Sequence, residues 1–195
     1  GIGQRPIDRV PIARGDRTNA ERLVREAWRN DGMSEDTESA ALDMFGAFLT
    51  GGDHKARMDA LLYGTEQEAG GMRAAKRLGS GHVALAKARI AANKKSSNLK
   101  SLLEAVPREL HGDPGYMFAR IQWLRREEKF NEAAQLMLSV PKDPNRLHNL
   151  NEWWIERRLL GAQGGCREAG QAQQDSQDGE GVLVASRTGA HTRRR

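Results

Sequence analysis

Cysteine is nearly absent from this chain. Cys166 stands alone among 195 residues, so no intramolecular disulfide can staple the fold, and cysteine usage does not assign a redox compartment. Aromatic residues make up only 5%. No run of about eighteen apolar residues occurs, which excludes a membrane-spanning helix of ordinary length. No apolar segment of signal-peptide type opens the chain, but it begins with Gly1 rather than Met, so this does not decide the compartment. The phosphate-cradling Gly-rich loop of nucleotide hydrolases is missing, and Gly1-Ile2-Gly3 lacks the preceding strand that a dinucleotide fingerprint needs. His54, His82, His111, His148 and His191 are dispersed, with no His-x-x-x-His or Cys-x-x-Cys spacing. Neither a cofactor nor a metal site is expected, and no catalytic residue is assigned.

Charge, by contrast, is plentiful. Charged residues make up 29% and the formal net charge is +5. An excess of this sign suits anionic partners. Lys and Arg alternate with Asp and Glu through most of the chain, however, as on solvated helix surfaces, and part of the excess lies in Arg193, Arg194 and Arg195. Without a recognition helix or RNA motif, nucleic acid ranks last among partners.

The apolar residues recur with helical spacing, and no strand pattern competes. Residues 1–16, with Pro6 and Pro11, read as an extended arm or a partial helix. From Thr18 onward the pattern is helical. Leu23, Val24, Ala27 and Trp28 form one stripe, and Ser34 is a candidate N-cap for a helix carrying Ala41, Leu42, Phe45, Phe48 and Leu49. Thr50-Gly51-Gly52 reads as a break, with Asp53 capping the helix that follows. Thr65 with Glu68 matches a capping box, and Gly79 suits the left-handed position at that helix's C-terminus. A Lys94-Lys95-Ser96-Ser97 turn and Pro107 bracket a short helix. Asp113-Pro114 is a cap followed by proline in the first turn. Phe130, Ala133, Ala134, Met137 and Leu138 make the face of its partner. In the last helix, Leu150, Trp153, Trp154 and Leu160 fall on one side, and Ile155 and Leu159 on the other. A helix apolar on two faces expects neighbours on both.

Helix starts near Asn19, Asp53, His82, Gly115 and Asn149 recur at roughly 30 to 34 residues, the period of two-helix repeats. The expected fold class is all-α: an α-superhelical solenoid of antiparallel helix pairs, tetratricopeptide-like, over residues 17–160. After Leu160 the chain turns rich in Gly and Gln, and Val182, Leu183 and Val184 are its main apolar cluster. Residues 161–195 read as a disordered tail or as a stretch translated out of frame from a longer gene.

Carboxylates that could serve as general acids or bases carry helix-surface spacing. Glu152 and Glu156, one turn apart, read as structural or solvent-facing, with a local acidic patch as the sharper alternative. Asp53-His54 reads as a helix start rather than a catalytic pair. Tyr116, Trp123, Trp153 and Trp154 offer stacking surfaces for sugars or bases, but their helical positions favour core packing. Cys166 has no base fixed beside it by the pattern.

Four segments in order, Asp53–Leu62, Asp113–Tyr116, Arg120–Arg126 and Glu152–Leu160, resemble the soluble lytic murein transglycosylases of Gram-negative bacteria. The resemblance covers about Thr18 to Leu160 and concerns the superhelical region that precedes the catalytic domain. It implies a periplasmic parent enzyme that cleaves the glycan strands of peptidoglycan, leaving a 1,6-anhydromuramic end with one glutamate as acid and then base. The family's catalytic signature runs from Glu-Ser to Gly-Leu-Met-Gln. Here Glu38-Ser39 is followed by Ala40-Ala41-Leu42-Asp43-Met44-Phe45, so no catalytic role passes to Glu38. The implied role is a scaffold fragment, inactive by itself, whose partner is the glycan strand. The competing expectation is a tetratricopeptide-like adaptor that binds a protein.

Overall fold

A computed structural model describes residues 14–164. Residues 1–13 of the arm expected at 1–16, and the segment 165–195 with Cys166 and His191, lie outside the described residues, while 14–16 belong to the first helix. Among the described residues the fold is all-α. The helices are α1 (Arg14–Asn30), α2 (Glu35–Phe45), α3 (Gly51–Leu61), α4 (Glu68–Leu78), α5 (Ser80–Asn93), α6 (Leu99–Glu104), α7 (Pro114–Arg126) and α8 (Phe130–Ser139), followed by α9 at 150–164. Short 3-10 turns at Gly46–Phe48, Arg108–Leu110 and Pro144–Arg146 join them. Helical structure thus begins four residues before Thr18 and continues past Leu160 through Gly161 and Gly164.

Local chemistry sets most helix starts. The Ser34 hydroxyl accepts from the Thr37 amide at 3.2 Å and opens α2. The Asp113 carboxylate accepts from the amides of Gly115 (2.8 Å) and Tyr116 (3.3 Å), with Pro114 filling the first position, which needs no amide donor. Two starts differ from the sequence reading. Gly51 and Gly52 do not break the chain but open α3. Thr50 is the cap, and Asp53 sits one turn in, its carboxylate accepting in return from the Thr50 amide at 2.8 Å. That reciprocal pair satisfies two orphan amides and outweighs the helix-breaking tendency of the glycines. The capping box read at Thr65 and Glu68 does not form. Helix α4 starts only at Glu68, whose carboxylate pairs with Lys94 at 2.5 Å instead of reaching back.

Gly79 alone joins α4 to α5, with φ +105° and ψ 177°. This is a region only glycine enters without strain, extended rather than left-handed helical, so the left-handed position expected for Gly79 is not adopted. Gly71 serves a second purpose. A Cβ there would lie 2.4 Å from Leu62 Cδ2, so its bare backbone lets α4 close on α3.

The core has two parts. One gathers Met58, Leu62, Leu85, Leu99, Leu103 and Tyr116 with a set of alanines on α4, α5 and α7 that permit close helix approach. The other joins Tyr63, Phe118, Ile121, Leu124, Met137, Trp153 and Leu160, and fixes α9 onto α7 and α8. Phe118 makes edge contacts with both Tyr63 (5.3 Å) and Trp153 (4.8 Å), and Trp153 Nε1 donates to the Tyr63 hydroxyl at 2.9 Å across ninety residues of sequence. Burial raises the Tyr63 hydroxyl pKa to about 12, so it remains a neutral acceptor for this bond at neutral pH.

Some residues of the apolar stripes are not buried. Leu23 on α1 is exposed, and so is Leu138 on α8. On α9 the buried face is Trp153, Glu156 and Leu160. Trp154 and Leu150, expected beside Trp153, are exposed because the helix is rotated to bring Glu156 onto α7. Ile155 and Leu159 on the far side are exposed as well.

Candidate functional site

Carboxylates are the residues most able to carry chemistry here, and the structure turns several of them inward. Glu38, Asp53, Asp59 and Glu156 are buried, together with Arg57 and Arg89. Each carboxylate meets cations from another helix. Glu38 on α2 faces Arg73 of α4 at 2.8 Å and Arg57 of α3 at 3.5 Å, with Arg77 at 3.7 Å. Asp53 meets Arg29 of α1 at 2.6 Å. Asp59 meets Arg89 of α5 at 2.8 Å and Lys55 one turn away, and Lys55 also reaches Asp113 at 2.7 Å. Glu156 holds Arg125 of α7 through both oxygens, at 2.5 and 3.2 Å.

A second set of contacts runs from side chains to helix carboxyl ends, where backbone carbonyls lack partners within their own helix. Arg57 Nη1 donates to the carbonyls of Trp28 (2.6 Å) and Asp31 (2.8 Å), closing the end of α1. Asn93 Nδ2 donates to Leu62 (3.0 Å) and Gly64 (3.1 Å), closing the end of α3. Arg126 Nη1 donates to Ala92 at 2.7 Å, closing the end of α5. In each case the donor stands on the helix two further along the chain, at separations of 26 to 34 residues.

These partners decide what the carboxylates can do. A general acid needs a raised pKa and access to substrate. Burial works to raise the Asp53 carboxyl, but hydrogen bonds from Thr50 and Arg29 outweigh it and hold it below the usual carboxylate value. Glu38 lies behind Arg57, Arg73 and Arg77 rather than in an open cleft. Asp53 and His54 share no hydrogen bond: Asp53 turns to Thr50 and Arg29, while the His54 ring meets the Trp28 ring edge to face at 5.5 Å. Burial, with the positive charge of Arg77 nearby, lowers the His54 pKa. Glu152 and Glu156 form no shared acidic patch, since Glu156 turns inward to Arg125.

The histidines remain apart. His111 stacks on Tyr116 at 4.3 Å, and His148 approaches Asp59 at 3.7 Å. Among the described residues no three His, Cys, Asp or Glu side chains gather as a metal site. Of the aromatic residues singled out, Tyr116 and Trp153 are buried, and Trp123 is half-buried with the Lys129 ammonium 5.2 Å from its ring centre. Trp154 alone among these four is exposed. It borders an open groove of about 530 Å³ between α8, the Pro141–Leu147 connector and α9. The buried arginines carried no recognisable motif. A usable signal was the position of Arg57, Asn93 and Arg126 in successive odd-numbered helices.

No protein-family model matches the chain, and no curated protein or solved structure is significantly similar to it.

Two outcomes test the buried contacts. Arg125→Ala leaves Glu156 buried without its partner and should lower unfolding stability by about 3 to 5 kcal/mol, whereas Arg125→Met with Glu156→Leu should recover most of that in denaturant titrations. A depressed histidine pKa means that the folded state resists protonation. The His54 contribution is therefore full above its unfolded value of 6.5 and is lost as the pH falls through the lower folded value. Melting curves between about pH 7 and 5 should fall less steeply for His54→Phe than for the unaltered chain.

Proposed function

We propose that this chain is a helical scaffold without catalytic function of its own, corresponding to the superhelical region of a periplasmic lytic transglycosylase. One observation carries the scaffold part of the reading. Side chains on α3, α5 and α7 close the carboxyl ends of α1, α3 and α5 in turn, at similar sequence separations. Such a recurrence suits a solenoid, where each unit contacts its neighbours and the interface repeats. The starts of α1, α3, α5, α7 and α9, at residues 14, 51, 80, 114 and 150, accord with stacked two-helix units. In the parent enzyme the array would surround or guide glycan strands while a separate lysozyme-like domain performs the cleavage. The assignment to that family rests on the segments Asp53–Leu62, Asp113–Tyr116, Arg120–Arg126 and Glu152–Leu160, in their order.

The adaptor reading draws on the groove beside Trp154, an apolar surface of the kind that marks partner sites. Purified chain mixed with isolated peptidoglycan separates the two readings. The scaffold reading expects the chain to sediment with the glycan and to release no anhydromuropeptides. Release of such products would refute an inactive scaffold. Failure to sediment, together with one stoichiometric protein partner in a pull-down, would transfer the function to the adaptor.

A further inference from the structure

The groove between α8 and α9 combines exposed apolar side chains with cations. Its floor is Met137, Val140, Leu147 and Trp153, and Leu150 and Trp154 rise along one wall. Trp154 is 59% exposed, Leu150 50% and Leu138, at the opposite rim, 80%. Burying such side chains is favourable, so a ligand that covers several of them gains appreciable affinity. The groove is partly open to solvent.

Charge narrows the occupant. Lys142 and Arg157 are among the lining residues, and both are exposed. Among the described residues no carboxylate lines the groove and neither cation has an ion-pair partner. This contrasts with the interior, where Arg57, Arg89 and Arg125 all meet carboxylates. Along α9 the lining residues Leu150, Trp153, Trp154 and Arg157 recur at one-turn intervals, a row about 10 Å long. The apolar stripe of another helix has the same repeat.

We propose that this groove docks an amphipathic α-helix of a second protein, its Leu- or Phe-bearing stripe on Trp153 and Trp154 and its flanking Asp or Glu side chains on Lys142 and Arg157. The inference does not depend on the glycan reading. Aromatic anchors supply the affinity, and the two cations select the sign of the partner's flanks.

A fluorescently labelled helical peptide with a Leu/Phe stripe flanked by Glu tests it against a twin flanked by Lys, each titrated with the full chain and followed by anisotropy. The Glu peptide should bind at least about tenfold more tightly and lose that advantage at high salt. Trp154→Ala, and separately Lys142→Glu with Arg157→Glu, should each weaken it about tenfold. These positions are exposed, so helical circular dichroism should stay unchanged. Ile155→Ala, on the face of α9 away from the groove, should leave binding intact. Equal affinity for both peptides, no measurable binding of either, or binding untouched by the groove variants would overturn the proposal. So would self-association of the chain that buries Trp154, since the occupant would then be a second copy.

Discussion

The carboxyl end of a packed helix is a liability, because its last carbonyls have no donor inside the helix and water is shut out. Here the donor comes from another helix. Arg57, fully buried, lies with its guanidinium 4.6 Å from the centre of the Trp28 ring, donates to two carbonyls at the end of α1 and faces Glu38 of α2. Burial pulls its pKa down, and Glu38 offsets this only in part. One side chain thus fixes α1, α2 and α3 relative to each other. Asn93 and Arg126 repeat the capping part of this device for α3 and α5. The apolar clusters supply the bulk of the attraction, and the one around α4 and α5 is rich in alanine. The directional contacts choose which helix end meets which side chain.

The sequence of links changes at α7. There Arg125 reaches forward to Glu156 on α9, and the Tyr63, Phe118 and Trp153 cluster locks the same junction. Helix α9 is therefore anchored on one face by an ion pair, an indole hydrogen bond and buried Leu160, while Trp154, Ile155 and Leu159 remain in solvent on its other faces. Breaking a buried pair on one side only is far more damaging than replacing both partners, which makes such contacts specificity devices as much as sources of stability.

Much of the helical layout was legible in the chain. The apolar period, the Ser34 and Asp113 caps and Pro114 all act locally, and local chemistry is what a sequence displays. The start of α3 was misread because two glycines suggest a break, while the deciding contact is reciprocal between Thr50 and Asp53. Trp154 was misplaced because apolarity alone cannot show that Glu156 would take the buried position. The buried charges were hidden for the same reason: Glu38, Arg57, Asp59 and Arg89 alternate in sign as solvated faces do, and their partners lie 19 to 35 residues away. No chemistry-bearing constellation was expected. The inward carboxylates found instead are held by arginines.

The central claim is that helix-end caps and buried pairs tie α3, α5, α7 and α9 into one cooperative array. Native-state amide hydrogen exchange tests it most directly, because it reads the opening free energy of each helix separately. The interior amides of these four helices should exchange with one shared free energy that equals the global unfolding value and falls together in Arg57→Ala. Rapid exchange of α9 or α7 through its own local opening, with α3 and α5 still protected, would contradict the account.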